Sequence, residues 1–164
     1  FEKIITCGDS AGGNLATVLS INSSYKLLPK IKGQILIYPC VDMTLSMRSI
    51  DINIDGLVFS GKTMSYFVKH YLNNRNDELD WEASPLYAPK LNNQPPAYIF
   101  SAGLDPLIDE GIAYKNRLEN NNNFVHYKLY QGQIHGFITN SKHFPKGLDC
   151  LKKIGDAVNN LIEL

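Results

Sequence analysis

Gly8-Asp9-Ser10-Ala11-Gly12 decides the reading of this chain. It follows a short β-prone run at residues 3–7. It opens a stretch, from 11 to about 25, in which Leu15, Val18 and Leu19 recur at helical spacing. A serine set between a strand and a helix, with small residues on both sides, has the pattern of a nucleophile elbow. The turn is sharp, so bulky neighbours are excluded and the hydroxyl is pushed out above the sheet edge. The first turn of the helix offers N–H groups without intrahelical partners and a positive dipole end. The N–H of Ala11 is therefore a candidate oxyanion donor. The rival glycine-rich turns need G-x-G-x-x-G for a dinucleotide or Gly-Lys-Ser/Thr for a P-loop, and neither stands here.

Outward from the elbow, residues 33–38, 97–101 and 124–130 form three further strand-like runs. The first two are nearly continuous in apolar residues, as suits parallel strands covered on both faces. Between them, Ser60 is a candidate N-cap for a helix over 61–72, whose Met64, Phe67, Val68, Tyr71 and Leu72 share one face. Residues 108–119 read as a helix and 120–123 as a polar turn. Leu148, Leu151, Ile154, Val158, Leu161 and Ile162 mark a last amphipathic helix. Strands alternating with helices predict an α/β fold, with a mostly parallel sheet of about four strands and flanking helices. Residues 1–164 read as a single domain without internal repeats.

A serine is a weak nucleophile at neutral pH and needs a base, which in turn needs an orienting acid. Of four histidines, His70 falls on the 61–72 helix, His126 within a strand and His143 near the last helix. His135 follows the fourth strand by the short loop Gln131-Gly132-Gln133-Ile134. Loops after parallel strands share one edge of the sheet, where ligands bind, so His135 shares an edge with Ser10. Asp105 follows the third strand and Asp42 the second; both stand as candidate acids, Asp105 first. Asp109 and Glu110 lie one turn later, at a helix start where carboxylates suit the dipole.

The bulk properties exclude several classes. The 164 residues carry sixteen basic and sixteen acidic side chains, without a basic stripe to follow a phosphate backbone. Nucleic acid is not an expected partner. No apolar stretch approaches the roughly 20 residues that span a bilayer. Cys7, Cys40 and Cys150 are odd in number and far apart, so neither a zinc site nor a disulfide framework is expected. Asn22-Ser23-Ser24 matches a glycosylation acceptor but falls in a predicted helix and is read as a chance match.

Several motifs in one order make the resemblance specific. Gly8-Asp9-Ser10-Ala11-Gly12-Gly13-Asn14-Leu15-Ala16, Tyr38-Pro39 with Asp42, Ser84-Pro85-Leu86, Asp105-Pro106-Leu107 with Asp109-Glu110-Gly111, and His135-Gly136-Phe137 resemble the hormone-sensitive-lipase-like (bacterial family IV) esterases of the α/β-hydrolase fold. The likeness spans roughly residues 3–138. It implies Ser10 as nucleophile, Asp105 as acid and His135 as base, with short-chain acyl esters as substrates and no metal or cofactor. Leu107, Ile134 and Phe137 are expected at the substrate pocket, with core packing the alternative role for at least one of them. The family also has a His-Gly-Gly-Gly oxyanion loop and a cap before the nucleophile. With Ser10 the tenth residue of the sequence, the chain is expected to be a C-terminal portion, without that loop, the cap and the first strands. Losing one oxyanion donor costs about 10²–10³ in rate, so a catalytically impaired fragment is an alternative reading. A non-catalytic small-ligand binder on the same scaffold is another, and amidase or peptidase activity a third. A homodimer is left open. A cytoplasmic setting is the working expectation for the compartment.

Overall fold

Ile35, Leu36 and Ile37 leave no polar face for a strand to turn to water, and they are 0%, 0% and 7% exposed. Such a strand must lie inside a sheet covered on both sides. The computed structural model, which describes residues 3–52 and 59–163, has this arrangement. Strands β1 (Ile4–Asp9), β2 (Ile31–Ile37), β3 (Ala97–Leu104) and β4 (Val125–Ile134) form one sheet in the order β1-β2-β3-β4. Every pairing is parallel. Helices α1 (Ala11–Ser24), α2 (Gly61–Tyr71), α3 (Ile108–Asn120) and α4 (Pro145–Glu163) complete the regular structure, with short 3₁₀ turns at Arg48–Asp51, Arg75–Leu79 and Pro85–Tyr87. The mixed stretch 41–60 falls partly outside the described residues.

The core splits along the sheet. On one face, Ile35, Ile37, Phe100 and Phe137 pack with Cys150, Ala157 and Leu161 of α4. On the other, Leu36 and Ile99 pack with Ile21 of α1 and with Tyr114 and Leu118 of α3. Fully burying one such Leu, Ile or Phe side chain contributes about 1.5–3 kcal/mol, so these two layers carry the fold. A third cluster, of Cys40, Met43, Met64, Val68, Ala83 and Leu107, lies above the strand ends and includes the inner face of α2.

Helix α1 departs from its sequence pattern. Leu15 and Leu19 are 56% and 45% exposed, while Gly13, Asn14, Ala16, Thr17 and Ser20 face the sheet. The reason is distance. A side chain at Gly13 would place its Cβ 2.8 Å from Cβ of Pro39, so only small residues fit. The hydroxyls of Thr17 and Ser20 bond back to the carbonyls of Gly13 and Ala16, at 2.7 and 2.9 Å. These two hydroxyls thus find acceptors within the helix itself, whereas Asn14 Nδ2 donates outside it, to the carbonyls of Cys40 and Ala83.

Strand β4 is also longer than its pattern. Gln131–Ile134, read as a loop, continues the strand, with a register shift opposite Ala102–Leu104. Gly132 has φ 70, a left-handed conformation that glycine adopts without steric cost. His135 therefore leaves the strand end directly.

Candidate active site

The elbow is built by crowding. Ser10 sits between β1 and α1 with φ 53 and ψ −118, a conformation uncommon for residues other than glycine. It is tied on three sides: its N–H donates to Ile37 O, and its carbonyl accepts from Asn14 N and Cys40 N, at 2.9–3.1 Å. A Cβ at Gly8 would lie 2.1 Å from Gly12 O and 2.8 Å from Gly13 N, whereas one at Gly12 would meet only Asp9 Oδ1 at 3.8 Å. Gly8, not Gly12, is thus the glycine that the turn requires. Gly8→Ala is expected to cost about 3 kcal/mol or more, at the upper end of overpacking effects, and Gly12→Ala far less; thermal unfolding of the two variants checks this.

Three side chains meet above the strand ends. His135 Nε2 lies 2.9 Å from Ser10 Oγ, and His135 Nδ1 lies 2.7 Å from Asp105 Oδ2. Asp105 is fully buried, and its Oδ1 accepts from Leu107 N at 2.9 Å. With Nδ1–H donating to the carboxylate, Nε2 carries the lone pair and accepts from the serine hydroxyl. A neutral imidazole held this way can take the proton of Ser10. Two rings fix its plane: Phe59 stacks on it at 4.0 Å between centroids and Tyr38 packs at 4.5 Å.

Asp42, the other candidate acid, is also fully buried but is used locally. Its carboxylate accepts from Thr44 N, Thr44 Oγ1 and Ser46 Oγ at 2.6–3.1 Å. His70, His126 and His143 are exposed; His70 borders the cavity beside Ser10, with its Nδ1 paired to the carbonyl of Tyr66 within its own helix. The N–H of Ala11 lies in the first turn of α1, where backbone donors have no intrahelical acceptor.

A cavity of about 470 Å³ opens beside Ser10 and Ala11, within the usual size of a small-molecule site. Its walls are nearly all apolar: Leu15 of α1, Met43, Phe59, and Met64, Phe67, Val68 and Tyr71 of α2. Phe67 and Tyr71, on the predicted apolar face of α2, are 52% and 57% exposed because they border this opening. The expected pocket residues lie elsewhere. Phe137 and Leu107 are 0% and 1% exposed and belong to the core clusters, and Ile134 ends β4 outside the cavity wall. Among the described residues, no group of three or more His, Cys, Asp or Glu could hold a metal ion, and no helix is long and apolar enough to cross a membrane.

A family model described as alpha/beta hydrolase fold matches residues 1–139. The chain belongs to this family. Among curated relatives of this α/β-hydrolase, ethyl acetate hydrolase of Pseudomonas putida is 31% identical over 138 residues, covering 84% of this chain and 43% of that protein. Carboxylic ester hydrolase LipN of Mycobacterium tuberculosis is 33% identical over 141 residues, covering 83% and 38%. Among solved structures, a hyperthermophilic esterase from the archaeon Pyrobaculum calidifontis superposes with a TM-score of 0.90 at 33% identity, over 97% of this chain and 53% of that one. A thermostable carboxylesterase cloned from a metagenomic library gives 0.86 at 33% identity, over 94% and 53%. The α/β-hydrolase chain thus spans about half the length, or less, of the proteins it matches.

Proposed function

We propose that this chain carries the nucleophile, base and acid of a carboxylic ester hydrolase that works through an acyl-enzyme. The observation that supports this most is the unbroken line Ser10–His135–Asp105, at 2.9 and 2.7 Å. Ser10 Oγ attacks the ester carbonyl as His135 Nε2 accepts its proton. The developing oxyanion turns toward the N–H of Ala11. The imidazolium then gives its proton to the departing alcohol, leaving the acyl group on Ser10. Water enters, loses a proton to His135 and releases the acid by the same steps in reverse. Asp105 holds the imidazole tautomer and stabilises its cation, remaining a carboxylate throughout.

The apolar walls beside Ser10 suit an acyl chain. At about 470 Å³ the space favours short chains, and the named relatives include a protein that hydrolyses ethyl acetate. The same three groups also serve amide cleavage, so substrate class is tested directly. A panel of p-nitrophenyl esters of rising acyl length, with matching anilides, is expected to show turnover of the short esters and little of the anilides. An alkyl phosphonate ester is expected to stop that turnover and leave its mass on the peptide containing Ser10. Label on another residue, or anilides turned over as fast as esters, overturns the reading.

A further inference from the structure

Three carboxylates lie inside the protein near the strand ends: Asp42 and Asp105, both 0% exposed, and Glu110, 1% exposed. Asp105 has His135 and Leu107 N as partners, and Asp42 has Thr44 and Ser46. Glu110 is placed differently. Its Oε1 accepts from the backbone N–H of Val41 at 2.6 Å and of Asp42 at 3.2 Å. No salt bridge reaches it among the described residues. A buried carboxyl without a cation is costly to keep, and an apolar residue would pack in its stead unless the carboxyl has work to do.

We propose, resting on the hydrolase reading above, that Glu110 is a positioning residue: it locks the turn after β2 to helix α3, and so holds Tyr38 against His135 and Cys40 against Ser10. The contacts run in sequence. Glu110 stands five residues past Asp105 and pins Val41 and Asp42. One residue earlier, Cys40 N donates to the carbonyl of Ser10 at 3.1 Å. Two before that, the Tyr38 ring packs on His135 at 4.5 Å. On the far side, Met43 N donates to Ser84 Oγ at 2.7 Å, and Cys40 and Met43 both line the cavity. One side chain therefore ties the loop that carries the acid to the turn that supports base and nucleophile.

The lock is also sensitive to pH. The titratable groups facing Glu110 are the carboxylates of Asp42 and Asp105 and the thiol of Cys40. Burial first, then the charges of Asp42 and Asp105, push its carboxyl up to about 8, although the two N–H bonds pull the other way. Below that pH the group is neutral. Above it, a negative charge appears beside Asp105, the partner of His135. Glutamine keeps an oxygen for Val41 and Asp42 but has no proton to lose. Alanine leaves two buried N–H groups without an acceptor.

The test compares wild type, Glu110→Ala and Glu110→Gln by ester kinetics against pH, with Ser10→Ala as the control for serine-dependent turnover. Glu110→Ala is expected to lower kcat/KM by about 10²-fold, the order produced when reacting groups move by about 1 Å, with most of the loss in kcat. Glu110→Gln is expected to restore most of it at acidic pH. NMR titration observed at the His135 ring, which needs no turnover, is expected to show an inflection near pH 8 from the ionisation of Glu110 in wild type and to lose it in Glu110→Gln. Should Glu110→Ala fail to fold, the Glu110→Gln profile and titration decide. The proposal is overturned if Glu110→Gln superimposes on wild type in the His135 titration, or if folded Glu110→Ala keeps wild-type kcat. Turnover that survives in Ser10→Ala defeats the hydrolase reading instead, and the His135 titration still reports on Glu110.

Discussion

Replacing Ser10 by alanine is expected to lower kcat for ester cleavage by about 10⁶, the scale at which loss of a nucleophile disables a serine–histidine–carboxylate unit. The fold should barely notice. The hydroxyl has one partner, His135 Nε2, and Ser10 borders an open cavity from which water can take the hydroxyl's place. A single hydrogen bond is worth about 1 kcal/mol net, so the melting temperature should move by only a few degrees. Alanine and serine both carry a Cβ, so the strain at φ 53 is common to the two proteins and cancels. The variant should also bind ester substrates without cleaving them, because the apolar walls from Leu15 to Tyr71 are untouched. Initial rates, circular dichroism and thermal unfolding of the pair check all three statements. Turnover within tenfold of wild type would place the nucleophile elsewhere.

The sheet was legible in the sequence because its strands are buried on both faces, and uninterrupted runs such as 35–37 have no other stable setting. The meeting of Ser10 with His135 was legible for a topological reason. Parallel strands send their following loops to one edge, and among the histidines only His135 leaves a strand end there. The acid was harder. Asp42 and Asp105 both follow strands, and what separates them is hydrogen bonding: Thr44 and Ser46 occupy the carboxylate of Asp42 within its own turn. The helix faces were read less well. Periodicity reports which apolar residues share a side, not what that side meets. On α1 the leucines turn away from the sheet because Gly13 and Pro39 approach too closely for them. On α2 one face is divided between core, at Met64 and Val68, and cavity mouth, at Phe67 and Tyr71. For Phe137 and Leu107, expected at the pocket with core packing as the alternative role, the structure shows the alternative. Each stands two residues past His135 or Asp105 in turning backbone, which does not keep the i, i+2 alternation of a strand, and both point inward. Glu110 was read as a helix-start carboxylate; nothing local in the sequence says that a turn 68 residues earlier reaches back to it.

Asp105→Asn is expected to lower kcat by about 10⁴ while leaving KM and the fold largely intact, and the reason is the tautomer. The carboxylate accepts two hydrogen bonds in a fully buried position, from His135 Nδ1 on one oxygen and from Leu107 N on the other. An amide can accept on one side only. If its oxygen stays with Leu107 N–H, its NH₂ faces Nδ1, which must then give up its proton and become an acceptor. The ring proton moves to Nε2, and the nitrogen facing Ser10 can no longer take the hydroxyl proton. If the amide turns over, its NH₂ meets the N–H of Leu107, two donors opposed without water between them, at a cost of about 1–3 kcal/mol. The first arrangement is the cheaper, and it is the inactive one. Asp42→Asn differs, because its partners Thr44 Oγ1 and Ser46 Oγ are hydroxyls that can reverse direction. Its effect should fall on stability more than on kcat. Parallel kinetics of the two variants separate the acids: a loss of turnover in Asp42→Asn with Asp105→Asn still active would assign the orienting carboxylate to Asp42, and would require His135 to leave the position in which it is held between Tyr38 and Phe59.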